Sequence, residues 1–230
     1  MDEVAVWLEV NGRPTVTWMC TPESLEELAV GWLHGEGYIA SLADLASLRP
    51  CATDLGFWAE VPEARVAAIA AEHRAPVLAS GCGAVSVLLA DPATTPRGTP
   101  RGAPPAPEVL RGLFKELFAR GARYQATGGI HAAALTDGAS LWHHAEDIGR
   151  HNAVDKVIGG ALLARRPVSS LALLVTGRIS AELAFKAARA GVAWIATPSV
   201  PSTLAATIAQ RAGMTLVGRA VSGTPQIHHP

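Results

Sequence analysis

NAVDKVIGGALLARRPVSSLALLVTGRISAELAFKAARAGVAWIA, residues 152–196, reads twice through one pattern, helix then strand. Asn152–Arg165 and Ser180–Ala190 carry helical patterning. Leu171–Val175 and Val192–Ala196 are apolar runs of strand length, too short for helices. Downstream the pattern continues with a helix over Ser202–Ala212 and strands over Met214–Arg219 and Gln226–His229. Upstream, Glu108–Arg120 is an amphipathic helix. His131–Leu135 and Ser140–His144 flank Asp137-Gly138, a hairpin signal. Such alternation predicts an α/β sheet with helices on its faces.

The first part of the chain is organised differently, as a small α+β part. Val4–Val10 and Thr15–Cys20 flank Asn11-Gly12 and predict a hairpin. A helix should follow, with Thr21 as N-cap, Pro22 at its first position, and Glu23, Glu26 and Glu27 near its positive end. Leu25, Leu28, Ala29, Trp32 and Leu33 give it one apolar face, and Gly35 and Gly37 are expected to end it. Gly56–Val61 reads as a strand and Pro62–His73 as a helix. Asp91 to Pro107 holds six prolines in 17 residues, which excludes a helix or a central strand there.

Composition narrows the function classes. The 230 residues balance 19 Lys+Arg against 20 Asp+Glu, without the basic excess of a dedicated nucleic-acid binder. No apolar stretch reaches the roughly 18 residues of a membrane span, and MDEVAVWLEV lacks the basic start of a signal peptide. Cys20, Cys51 and Cys82 are too scattered for a CxxC motif. The expectation is a cytoplasmic protein with neither membrane nor nucleic acid as partner.

The densest polar run is Glu146 to Lys156, EDIGRHNAVDK, where the second hairpin enters a helix. Helix starts bind anions, and Arg150 and His151 would add charge-assisted donors. The alternative is a capped helix with a solvated ion-pair face. Thr176-Gly177-Arg178-Ile179-Ser180 closes a strand and opens a helix, the place where ligands gather in open α/β sheets. Arg178 is a phosphate or carboxylate candidate there, and an ordinary turn capped by Ser180 is the alternative. His131, His143, His144, His151, His228 and His229 invite a metal reading, but adjacent His143 and His144 on a strand face opposite sides. Cys82 is flanked by Gly81 and Gly83, which leave its sulfur open to attack.

Read in order, TPESLEELAVGWLHGEGYI (21–39), TGGIHAAALTDG (127–138), EDIGRHNAVDKVIGGALL (146–163), TGRISAELAFKAARAG (176–191) and AGMTLVG (212–218) resemble the FdhD/NarQ family, the formate dehydrogenase accessory sulfurtransferases. The likeness runs from Val4 to about Val221, and the Pro-rich stretch is its main gap. It implies a sulfurtransferase. A cysteine desulfurase would pass sulfur to a protein persulfide, which sulfurates a molybdenum bis(molybdopterin guanine dinucleotide) client bound for the formate dehydrogenase catalytic subunit. Ala79 to Ser86 matches the family's persulfide segment, with Cys82 in place of its first cysteine and Val85 in place of its second.

The resemblance also implies two regions. Residues 1–107 would hold the hairpin, the helix, the Cys82 loop and the linker. Residues 108–230 would form a cofactor-binding domain with the three-layer α/β/α fold of cytidine deaminases. Zinc deaminases carry H-x-E and then P-C-x-x-C. Here those places read His151-Asn152-Ala153 and Thr176 to Ser180, so no intrinsic zinc is expected. Arg150, His151 and Arg178 take the client's phosphates in this reading. So does the loop Arg219, Ala220, Val221, Ser222, Gly223 and Thr224, of which Gly223 alone keeps the family's pattern. These groups are expected to meet in one pocket. A homodimer is implied as well, with Trp32 on the N-terminal helix compatible with it. A non-catalytic carrier of the cofactor and a deaminase-like hydrolase are the competing functions.

Overall fold

The structure is a computed structural model and describes residues 2–71, 77–78, 85–86, 95, 98–99 and 102–230. Strands β1 (Val4–Val10) and β2 (Arg13–Cys20) form the expected hairpin. Asn11 and Gly12 supply its two positive φ angles, 49° and 75°, as a two-residue I′ turn requires. β3 (Ser47–Pro50) and β4 (Gly56–Glu60) complete a sheet of order β2-β1-β4-β3. Helices α1 (Leu25–Glu36) and α2 (Glu63–Ala71) accompany it.

Two details of α1 differ from expectation. It begins at Leu25 under Ser24, whose φ is 51°, and not under Thr21. Thr21 is buried and bonded to distant residues, so a tertiary partner outcompetes the local cap. Gly35 lies inside the helix, and Gly37, at φ 90°, ends it by donating to the Leu33 and His34 carbonyls. Trp32 packs inside the N-terminal core. It is buried, edge-on to Trp18 at 5.7 Å and stacked on Tyr38 at 5.5 Å.

Short strands β5 (Val77–Leu78) and β6 (Val85–Ser86) pair antiparallel. Helix α3 (Pro107–Arg120) starts on the last proline of the linker, where the missing N–H costs nothing. The expected boundary at 107 therefore falls in its first turn. Helix α4 (Ala122–Thr127) has six residues, too few for a sequence period to reveal.

Strands β7 (His131–Thr136), β8 (Leu141–Asp147), β9 (Ala172–Val175), β10 (Trp194–Ala196), β11 (Thr215–Gly218) and β12 (Gln226–His228) make a mixed sheet of order β12-β11-β10-β9-β7-β8. β9, β10 and β11 run parallel, while β7, β8 and β12 are antiparallel to their neighbours. Helices α5 (Arg150–Leu163), α6 (Ala181–Ala190) and α7 (Thr203–Arg211) cover one face, where Leu173 and Val175 join their core. The other face packs on α3, where Ala172 and Leu174 meet Leu110, Phe114 and Leu117. Both faces are covered, so Leu171–Val175 is apolar without alternation.

α1 crosses α5 backbone to backbone. A Cβ on Gly31 would stand 1.9 Å from the Asp155 carbonyl oxygen, and one on Gly159 would stand 1.9 Å from that of Glu27. Leu162 and Leu163 of α5 extend the N-terminal core from the far side of the seam. Backbone cannot yield as a flexible side chain can. Gly31→Ala is expected to cost on the order of 3 kcal/mol in urea unfolding. Gly112→Ala, where a Cβ meets nothing within 4 Å, is expected to be neutral or slightly stabilising.

Candidate functional site at the strand ends

The run Glu146 to Lys156 divides into residues that hold the fold and residues that face the site. Asp147 is fully buried. One of its oxygens accepts from the Thr21 N–H at 3.1 Å and lies 2.7 Å from the Lys156 ammonium. The other accepts from the Gly149 N–H at 2.8 Å and the Asn152 amide at 3.0 Å. Lys156 also donates to the Thr21 carbonyl at 3.0 Å, and Asn152 to that of Met19 at 3.0 Å. This knot ties the end of β2 to the start of α5. Glu146 accepts from the Arg123 and Tyr124 N–H groups at the start of α4. Asp155 pairs with Lys186 of α6 at 2.6 Å, with Glu36 of α1 3.9 Å from the same ammonium. Most of the run is therefore an internal ion-pair system, buried where a solvated face was the alternative.

Arg150 and His151 occupy the first turn of α5 and are both buried. His151 Nε2 lies 3.2 Å from Ser180 Oγ and 3.4 Å from a Glu182 oxygen. Both partners meet the same ring nitrogen, and Ser180 Oγ also accepts from Leu183 as the cap of α6. A hydrolytic triad needs the acid and the serine on opposite nitrogens, so this cluster is not one. Burial, with Lys186 and Arg150 nearby, pushes the His151 imidazole down to about 3. Burial and Arg150 also lower His131. Both rings are neutral at pH 7, and the arginines carry the positive charge.

Gly177 follows β9 and is the contact point. A Cβ there would stand 3.2 Å from His131 Nδ1 and 3.3 Å from Arg150 Cδ. Its carbonyl accepts from Thr197 Oγ1 at 2.7 Å. The Thr197 carbonyl in turn accepts from the Ala220 N–H at 2.9 Å, and the Ser199 carbonyl from the Arg219 N–H at 2.7 Å. A continuous hydrogen-bonded path thus joins the carboxyl ends of β9, β10 and β11, where open α/β sheets bind ligands. Arg178 and Arg219 are exposed along it, and Arg219 holds φ 51°.

Within the 219–224 loop, Ala220 is buried in the α3-side core and Val221 packs against it, while Ser222, Gly223 and Thr224 are exposed. Reading the sequence did not single out Thr197 or Ser199. Nothing in their local pattern distinguishes them from turn residues. His131 reads in sequence only as a candidate metal ligand, and the structure sets its ring against Gly177. His143 is engaged by Glu27 of α1 at 3.2 Å.

Cys82 lies outside the described residues. Of the other thiols, Cys20 is buried, and burial together with Asp147 pushes it up to about 12, so it is a thiol and no nucleophile near neutrality. Cys51 is half-buried, and its thiol is lowered by hydrogen bonding to the Thr53 hydroxyl, 3.5 Å away. Among the described residues, no group of three or more His, Cys, Asp or Glu is arranged to hold a metal ion. No helix among them is long and apolar enough to cross a membrane.

A sequence model of the FdhD/NarQ family matches residues 1–230. Among curated relatives, "Sulfur carrier protein FdhD" of Streptomyces coelicolor is 39% identical, over 92% of this chain and 80% of its own length. The protein of that name from Burkholderia mallei is 36% identical over 94% and 83%. That from Staphylococcus haemolyticus is 33% identical over 100% and 88%. A crystal structure described as a formate dehydrogenase accessory protein from Desulfotalea psychrophila superposes with a TM-score of 0.73. It is 24% identical and covers 100% of this chain and 87% of that one.

Two outcomes follow from the buried pairs. Lys156→Met leaves Asp147 buried without its cation and is expected to cost about 3–5 kcal/mol, read by urea unfolding. Burial raises the Asp155 carboxyl to about 7, against the lowering pull of Lys186. The folded chain then keeps a proton that the unfolded chain releases from its ordinary value of 3.8 upward. This group's contribution to stability accordingly falls as pH rises from about 4 to about 7. Wild type is expected to lose unfolding free energy relative to Asp155→Asn across that window, and a pH-independent difference would refute the assignment.

Proposed function

The chain belongs to the FdhD/NarQ family, and on that premise we propose that it is a sulfur carrier and sulfurtransferase serving formate dehydrogenase maturation. The observation that carries this reading is the whole-chain likeness to relatives named as sulfur carriers. Cys82 is the carrying thiol in this proposal, since it stands at the family's persulfide position and Cys20 is inert. Its thiolate attacks the outer sulfur of a donor persulfide, formed by a cysteine desulfurase. The new S–S bond forms as the donor thiolate leaves. Delivery of that outer sulfur to the client as sulfide takes two electrons, supplied in this proposal by a pair of external thiols that leave as a disulfide, and it returns Cys82 as a free thiol.

The client in this reading is the molybdenum bis(molybdopterin guanine dinucleotide) cofactor, treated as cargo. In this proposal its phosphates go to Arg150, Arg178 and Arg219; Arg150 lies against Gly177 next to Arg178, and Arg219 follows β11. Neutral His151 and His131 leave that positive charge undiluted by a titrating group at pH 7. Val85 in place of a second cysteine favours a one-thiol route. It also motivates a second reading, in which the chain only carries the cofactor.

Incubation with a cysteine desulfurase and cysteine is expected to add one sulfur, about 32 Da by intact mass. The adduct should disappear in Cys82→Ala and persist in Cys51→Ala. An adduct surviving Cys82→Ala overturns the assignment of the thiol. Formate dehydrogenase maturation supported by Cys82→Ala, in cells lacking the wild-type protein, would favour carriage alone.

A further inference from the structure

At the far end of α5 from Arg150 lies a cleft of about 410 Å³, lined by Ser41, Leu42, Ala43, Leu162, Arg165 and Arg166 and closed by Pro167. Its walls come from both halves of the chain. One is the 3-10 turn Leu42–Asp44 that follows α1, and the other is the C-terminal end of α5. The floor is apolar, and two adjacent arginines are among the residues that line it.

Arg165 is unusual in its backbone. It follows the C-cap Ala164 with φ 53°, and the N–H of Arg166 closes the helix end on the Ala161 carbonyl at 2.8 Å. Glycine is the usual residue at this place, because any Cβ is strained in the left-handed region. The chain accepts that strain and places an exposed arginine there. Among the described residues Arg165 has no acidic partner. The acid next to the cleft, Asp44, is taken up by the Ala40 N–H at 2.7 Å and by Arg65 at 3.9 Å. Arg166 rests its guanidinium 4.8 Å from the centre of the Trp142 ring, next to the cleft it lines.

We infer that this cleft docks an acidic peptide segment of a partner protein, with a carboxylate side chain on Arg165 and Arg166 and an apolar neighbour on Leu42, Leu162 and Pro167. Charge complementarity selects the acid, and the apolar floor selects its neighbour. The lining residues are largely half-exposed or exposed, which suits the edge of a peptide better than a small molecule that must be mostly enclosed. The inference does not depend on sulfur chemistry.

A fluorescein-labelled peptide of alternating Glu and Leu, titrated with the full chain and read by anisotropy, tests it. Binding is expected to weaken at least tenfold in Arg165→Glu and to be unchanged in Arg111→Glu on α3. Arg165→Gly separates a binding role from a structural one. It relieves the left-handed strain, so the thermal midpoint should rise while peptide binding falls. The inference is overturned if the peptide does not bind, if a Lys-Leu peptide binds equally well, or if either Arg165 variant binds like wild type.

Discussion

The seam between α1 and α5 sets the geometry of the rest. Gly31 and Gly159 bring the two backbones into direct contact. At that separation the polar groups on either side have no access to water and must satisfy one another. Asp147 and Lys156 do so at one end of the seam, with Thr21 drawn in from the N-terminal half. Asp155 and Glu36 share the Lys186 ammonium where α6 joins, with the second Asp155 oxygen left buried and without a hydrogen-bond partner. Removing one member of such a pair strands a buried charge, which is far costlier than losing a surface pair. The two sheets are thereby locked into one arrangement, and the first turn of α5 is set against the turn between β9 and α6.

That placement explains the electrostatics of the strand-end rim. A helix start already favours an anion. Arg150 sits there beside Gly177, and the Thr197 and Ser199 bonds hold the turns carrying Arg178 and Arg219 in line. The imidazoles of His131 and His151 are kept neutral by burial and by neighbouring cations, so proton exchange near pH 7 does not alter the rim's charge. Cys20, in contact with the same buried network through Asp147, is driven the other way, towards a thiol with no nucleophilic character.

Much of the fold was legible because local chemistry decided it. Asn11-Gly12 demands a tight hairpin wherever it sits, and Leu171–Val175 is too apolar and too short to be anything but an inner strand. Misreadings occurred where a distant partner overruled the local pattern. Thr21 looks like a cap and is a strut under Asp147. Gly35 looks like a helix end and is interior, where a Cβ would stand 3.5 Å from both Asp155 and Lys186. Trp32, by contrast, sits on the apolar face of α1 that its spacing predicts, packed on Trp18 and Tyr38. In the EDIGRHNAVDK run, spacing alone could not separate Asp147 and Lys156, which hold the fold, from Arg150, whose Cδ lies against Gly177.

The sequence by itself determined the longer helices and strands, though not α4 or β3, together with the α/β class of the second half, the family and the three cysteines available to carry sulfur. These depend on residues close in the chain or on the motif string as a whole. Tertiary structure decided which charges are buried, which imidazoles are neutral, which described thiol is silent and which glycines are contact points. Each of those properties depends on what lies across a helix seam or a strand end from a residue, and solvent exclusion there changes the energy of a charge far more than its sequence neighbours do.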